Sequence, residues 1–163
     1  MASHTLTTLV TLVGARLKAK GLKLATAESC TGGWLAQAVT SVSGSSEWFD
    51  RGYVTYSNDA KREMLGVRAE TLSADGAVSE HTAREMAAGA LDRSGAGVVV
   101  SVTGVAGPTG GTAVKPVGMV CFAWAQRGTP PQSETRRLSG DRGEVRRQSV
   151  IIALEGLLER IGA

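Results

Sequence analysis

Apolar residues recur at helical spacing near both ends of the chain. Leu6, Leu9, Val10, Val13 and Leu17 form one stripe, predicting a helix from Thr5 to Lys20 that stops at Gly21 and packs on a sheet. Val150, Ile151, Leu154, Leu157, Leu158 and Ile161 mark the core side of a last helix, opened by Asp141 and Glu144 at capping-box spacing, although such a box normally starts with Ser or Thr. Between them, Gly97 to Thr103 is nearly continuous in branched apolar residues, the pattern of a central strand buried on both faces. Shorter runs predict strands over Lys23–Glu28, Gly52–Ser57, Val117–Ala125 and Ser133–Ser139, the last two pairing as a hairpin across Gly128 to Pro131. Leu35, Val39 and Val42 predict a helix that begins just after Glu28. Ala83, Met86, Ala87, Ala90 and Leu91 mark the buried face of another, capped by Ser79. Two short helices are expected, from Ala60 to Leu65 with Asn58 and Asp59 as caps, and from Ala69 to Asp75 before Gly76.

Helices before, between and after strands predict an α/β fold, a three-layer α/β/α sandwich with a mixed, mostly parallel central sheet. The length fits one domain over residues 1–163. Right-handed crossovers put the ends of the first and central strands on one edge, where open sheets bind ligands. The glycine-rich turns at Ser29 and Gly104 then face a common site.

Composition narrows the class of function. The 42% hydrophobic and 20% charged fractions are those of a globular protein, and 21 glycines point to tight turns or backbone-lined sites. A net charge of +3 is too small an excess to argue for nucleic acid by itself, seven aromatic residues are few for base stacking, and no motif supports the C-terminal arginine cluster as a nucleic-acid surface. Cys30 and Cys121 supply neither a disulfide framework nor a cysteine zinc motif, and a reducing cytosol suits them. With no signal-type segment and no apolar run long enough to span a bilayer, a cytoplasmic protein without membrane contact is expected. Two histidines and no carboxylate cluster disfavour metal catalysis, so no metal and no cofactor are expected.

The chemistry gathers at Ala27-Glu28-Ser29-Cys30-Thr31-Gly32-Gly33, where a strand gives way to a helix. The first N–H groups of a helix lack intrahelical partners and favour an anion, and Gly32 and Gly33 let a ligand approach the backbone. On these residues alone, Ser29 or Thr31 as a simple N-cap is the stronger reading. A Ser-His-acid triad would need His4, in a frayed terminus, or His81, on an exposed helix turn. If Ser29 is a nucleophile, the remaining base is a lysine held neutral. Lys61, in the first turn of a helix, has a dipole to lower its pKa, and partial burial would add to the effect. Lys115 is the rival, and a solvated lysine is the ordinary alternative. The Gly107 to Lys115 loop fits neither the Walker nor the dinucleotide pattern, though its N–H groups could bind an anion. Among Arg136, Arg137, Arg142, Arg146 and Arg147, Arg142 stands at a helix start and suits a phosphate, whereas Arg146 and Arg147 fit a solvated face.

Ala27 to Gly33, Tyr56-Ser57-Asn58-Asp59-Ala60-Lys61, Gly76 to Glu80, Thr103-Gly104-Val105-Ala106-Gly107-Pro108, Lys115-Pro116-Val117-Gly118 and Gly140-Asp141-Arg142 occur in that order along nearly the whole chain. Together they resemble the CinA C-terminal domain family, whose enzymatic members are nicotinamide-nucleotide amidohydrolases. The resemblance implies hydrolysis of the carboxamide of nicotinamide mononucleotide, a small-molecule nucleotide substrate, by a serine and a lysine. It implies Ser29 as nucleophile, with Cys30 the neighbouring alternative, Lys61 as base and Tyr56 as an orienting or relay group. Thr31, Gly32, Gly33, Asn58, Thr103, Gly104, Gly107 and Arg142 are the implied substrate contacts. A catalytically silent nucleotide-binding module of the same fold is the alternative. The sequence does not fix an oligomeric state, and a homodimer is the first candidate. Many relatives carry an additional N-terminal domain, so the stand-alone form is expected, and Val114 stands where relatives often have an acidic residue.

Overall fold

The structure, a computed structural model, describes residues 2–162, with side chains from residue 6 onward. The side chain of His4, expected in a frayed terminus, lies outside the described residues. In chain order the elements are α1 (Ala2–Ala19), β1 (Leu24–Glu28), α2 (Trp34–Thr40), a 3-10 turn (Ser45–Glu47), β2 (Phe49–Val54), α3 (Asn58–Leu65) and α4 (Ala69–Asp75). They continue with α5 (Glu80–Arg93), β3 (Val98–Gly104), β4 (Met119–Gln126), β5 (Gln132–Arg137) and α6 (Arg142–Ile161).

The sheet order is β2-β1-β3-β4-β5, with β3 central as its branched apolar run predicts. β1 pairs in parallel with both β2 and β3, while β4 is antiparallel to β3 and to β5. Only β4 therefore runs against the others, which makes the sheet mixed and mostly parallel. Alternation along β3 assigns the two cores. Val98, Val100 and Val102 face Leu9, Val13 and Leu17 of α1, Leu35 of α2, and Leu154 and Leu157 of α6. Val99 faces the other way, toward Met86, Ala87 and Ala90 of α5 and Leu65 of α3. On that second face the sheet presents Ala25, Ala27, Ala123 and Ala125, so α5 can lie close to it.

Three expectations shift at the boundaries. α2 starts at Trp34 rather than just after Glu28, because Gly32 and Gly33, at φ 60° and 102°, hold a turn before it. The second strand is Phe49–Val54, earlier than Gly52–Ser57, since an edge strand half open to solvent carries no clean alternation. The N-cap of α3 is Ser57, whose Oγ accepts from the Ala60 N–H at 3.0 Å, so Asn58 and Asp59 lie inside the helix. Ser79 and Asp141 cap α5 and α6 as expected, accepting from the N–H groups of Thr82 and Glu144.

Gly89 couples this architecture to the site. It lies where α5 crosses the end of α3, and a Cβ there would overlap the backbone carbonyl of Leu65. A backbone group cannot rotate away, so α3 would have to move. Gly89→Ala is expected to lower the unfolding free energy by roughly 1–3 kcal/mol, read as a lower urea midpoint at unchanged slope.

Candidate active site

Parallel pairing of β1 with β2 and β3 brings the carboxyl ends of all three strands to one edge. β1 lies between strands reached by opposite crossovers, so the turn after Glu28 stands at a switch point of the sheet. A cleft of about 240 Å³ opens there. Ser29, Cys30, Tyr56, Lys61, Thr103 and Arg142 line it, together with Gly104 and the apolar Ala77, Val78 and Ala106. Two basic residues and no carboxylate face this space.

Lys61 projects from the first turn of α3 into the molecule and is 1% exposed. Its Nζ lies 2.9 Å from Ser29 Oγ, 2.9 Å from the Thr55 carbonyl oxygen and 3.1 Å from the Tyr56 carbonyl oxygen. A neutral amine has two hydrogens and one lone pair. If the two carbonyls accept the hydrogens, the lone pair is left for the Ser29 hydroxyl proton. Burial away from water lowers the lysine pKa to about 8, with the Cys30 thiol group acting in the opposite direction. Of the two effects the sequence offers, helix dipole and burial, burial is the one that lowers this pKa here. The Cys30 thiol is pushed up to about 12, chiefly by burial, and so stays protonated and poorly nucleophilic.

The position of Ser29 follows from its neighbours. The Thr55 N–H donates to the Glu28 carbonyl at 2.8 Å, stitching the segment after β2 to the end of β1. The Ser29 N–H donates to Val102 of β3 at 3.0 Å. The serine is thus tied between both parallel neighbours of β1.

Glu28 alters the expected role of the helix start. Its side chain is fully buried and accepts from Thr31 Oγ1 at 2.6 Å and from the N–H groups of Gly33, Leu35 and Ala36 at 2.9–3.1 Å. The donors that open α2 are therefore occupied by the protein's own carboxylate. Neither Ser29 nor Thr31 is the N-cap: Gly33 holds that position without a side-chain bond, and Glu28 supplies the acceptor.

The structure brings Ser29, Lys61, Tyr56, Thr103, Gly104 and Arg142 to the cleft, while Thr31, Gly32, Gly33, Asn58 and Gly107 lie outside its lining. Tyr56 contributes its carbonyl to Lys61, and its phenol oxygen accepts from Arg142 Nη2 at 3.4 Å. Arg142 Nη1 donates to the Gly107 carbonyl at 2.9 Å, so Gly107 orients the arginine. Thr103 Oγ1 donates to the Ala77 carbonyl at 2.8 Å, fixing the wall formed by Ala77 and Val78. Lys115 instead reaches the Asp75 carbonyl at the end of α4, away from Ser29.

His81, expected as an exposed polar residue, is half-buried and lies within 2.8 Å of Asp75 and 2.9 Å of Glu85, joining α4 to α5. Arg147 pairs with Glu144 on the solvent side, as a solvated helix face predicts. Arg146 does not: it reaches back to the carbonyls of Cys30 and Thr31, both at 3.0 Å. Helical periodicity places it on a polar face and gives no sign of that reach. Among the described residues no helix is long and apolar enough to cross a membrane.

Residues 6–161 match the CinA C-terminal domain family. The chain is 54% identical over 151 residues to the nicotinamide-nucleotide amidohydrolase PncC of Escherichia coli strain K12, covering 91% of this chain and 90% of that protein. A protein of the same name from Pseudomonas putida is 51% identical over 154 residues, covering 94% and 96% of the two chains. The crystal structure of the competence/damage inducible protein CihA from Agrobacterium tumefaciens superposes with a TM-score of 0.92 at 49% identity, covering 94% of this chain and 93% of that one. A family match over nearly the whole sequence, joined by relatives more than half identical along most of it, places this chain in the CinA C-terminal domain family.

Proposed function

We propose that this protein hydrolyses the carboxamide of nicotinamide mononucleotide to nicotinic acid mononucleotide and ammonia, with Ser29 as nucleophile and Lys61 as general base and acid. The observation that carries the reading is the buried Lys61 amine, 2.9 Å from Ser29 Oγ, with two backbone carbonyls to take its remaining hydrogens. The substrate comes from the relatives named nicotinamide-nucleotide amidohydrolase.

In the first step neutral Lys61 takes the Ser29 hydroxyl proton as Oγ attacks the carboxamide carbon. Backbone N–H groups hold the oxygen that becomes negative. Lys61 then gives its proton to the departing nitrogen, ammonia leaves, and an ester to Ser29 remains. A water molecule, deprotonated by Lys61, attacks that ester. Collapse of the second tetrahedral species returns the proton to Ser29 and releases the carboxylic acid.

Arg142 suits the phosphate. Its guanidinium is oriented by Gly107 and Tyr56, belongs to a solvent-exposed residue of the cleft lining, and meets no carboxylate in that lining. In this reading Tyr56 orients both Lys61, through its carbonyl, and Arg142, through its phenol. Thr103 and Gly104 form the wall beside the ring, while Thr31, Gly32, Gly33 and Asn58 act from outside the cleft. A silent binding module would leave the costly burial of an amine beside a serine without a purpose.

The direct test is ammonia release from nicotinamide mononucleotide. Ser29→Ala and Lys61→Ala are expected to lower kcat by about 1,000-fold or more while the protein still folds. Cys30→Ala retains turnover, and near-normal turnover by Ser29→Ala would overturn the mechanism.

The pH profile has a defined sign. The active base is the neutral amine, so kcat/KM rises with pH through a midpoint near 8 and levels off above it. A rate flat from pH 6 to 10 contradicts Lys61 as the base.

Arg142→Ala should raise KM for the mononucleotide by about 10- to 100-fold, as for a lost charged hydrogen bond, with a smaller change in kcat. Tyr56→Phe keeps the carbonyl contact and should show a weaker form of the same effect. Unchanged kinetics in Arg142→Ala removes that residue from the phosphate site.

A further inference from the structure

Every N–H around the nucleophile can be followed to an acceptor on another of the described residues, with two exceptions. Ser29 donates to Val102, Gly32 to the Ser29 carbonyl, and Trp34 to the Thr31 carbonyl. Gly33, Leu35 and Ala36 donate to Glu28. The Thr31 N–H has no partner among the described residues, and the Cys30 N–H meets only its own thiol sulfur. These directly follow the serine in the chain, the place from which a donor can reach the oxygen of an acyl group bound to that serine.

Their direction is set by Arg146. A trans peptide is planar and points its C=O and N–H to opposite sides, and the peptides of this turn are trans. Arg146 Nε donates to the Cys30 carbonyl at 3.0 Å, which turns the N–H of Thr31 away from α6. Arg146 Nη2 donates to the Thr31 carbonyl at 3.0 Å, which fixes the peptide carrying the Gly32 N–H. That N–H holds the Ser29 carbonyl at 3.0 Å, so the N–H of Cys30 is directed to the opposite side. Both donors are thus oriented through one guanidinium.

Gly32 fits this arrangement. At φ 60° it favours glycine, and a Cβ there would stand 3.3 Å from Arg146 Nη2. Its lack of a side chain admits the arginine. The guanidinium also lies over the Trp34 ring, 5.5 Å from its centre, which limits its freedom from a second side.

We propose that Arg146 is a positioning residue for catalysis: it holds the Cys30 and Thr31 carbonyls so that the N–H groups of these two residues form the oxyanion site beside Ser29. This rests on the reading of Ser29 as nucleophile. Arg146 touches neither substrate nor serine, and it acts through the peptide planes.

The test uses two readouts on wild type, Arg146→Ala and Arg146→Lys, each with its thermal unfolding midpoint. One is ammonia release from nicotinamide mononucleotide. The other is the rate at which a fluorophosphonate probe labels Ser29 as Oγ displaces fluoride, followed by mass spectrometry. The phosphonate oxygen occupies the oxyanion position whatever the natural substrate is.

Arg146→Ala should label about 100-fold more slowly, with kcat reduced in parallel and KM near wild type, the pattern of a misplaced reacting geometry. Arg146→Lys should fall between, since an ammonium lacks the planar fork. Added methylguanidine should restore part of the rate in Arg146→Ala. Labelling of folded Arg146→Ala within about threefold of wild type overturns the proposal. If that variant does not fold, Arg146→Lys decides: slower labelling at an unchanged midpoint supports the role, and an unchanged rate overturns it. Wild-type protein that labels but releases no ammonia overturns the proposed substrate alone, and the labelling comparison still decides Arg146. A wild type that does not label at Ser29 overturns the nucleophile reading and this inference with it.

Discussion

The site depends on the burial of one amine. A lysine 1% exposed loses the hydration of its ammonium, and this chain offsets the loss with the carbonyls of Thr55 and Tyr56 and with Ser29 Oγ. Those carbonyls are free because β2 ends at Val54 and α3 does not begin until Asn58. A strand or helix extended through Thr55 and Tyr56 would direct them into a ladder or along a helix axis. The irregular stretch between β2 and α3 therefore frees both carbonyls for Lys61, and the Thr55 N–H bond to Glu28 holds it against β1.

A second constraint concerns negative charge. An open helix start beside Ser29 would attract whatever anion the cleft admits. Glu28 occupies that position from within, using its buried carboxylate to satisfy donors that would otherwise face the site. In the proposed reading a substrate phosphate is left to Arg142, which lines the same cleft. An anion site separate from the proposed nucleophile would let one ligand span both, and would keep a fixed negative charge from competing for the donors that a transient oxyanion needs.

The layers of the fold were legible in the sequence, while the contacts that make the site were not. Long periodic stripes in α1 and α6 and the branched run of β3 have tertiary partners that depend only on apolar area, so pattern suffices. Ser79 and Asp141 act within four residues, and local chemistry predicts their bonds. The pattern places β2 too late because an edge strand has no consistently buried face to impose alternation. Lys61 was legible as a candidate through a local effect, the helix dipole, and an expected partial burial, but the extent of desolvation depends on how the chain packs around it. Arg146 lies 115 residues from Thr31, and its role depends on where a long side chain turns. No spacing rule encodes that direction.

Family membership and geometry support function in different ways, and their agreement matters because each fails differently. A shared fold persists after chemistry is lost, so similarity alone leaves activity open. A serine near a lysine can also arise in a protein that does no chemistry. Burial makes the second account less economical. An apolar side chain at position 61 would avoid the desolvation that lowers the lysine pKa, and an amine serving only structure could reach water by snorkelling from a helix start. The observed arrangement does neither: it keeps an ionisable group dry and directs it at a hydroxyl, with its other hydrogens assigned to backbone. A stabilising interaction alone gives no reason to retain that combination, whereas proton transfer to and from Ser29 requires every part of it.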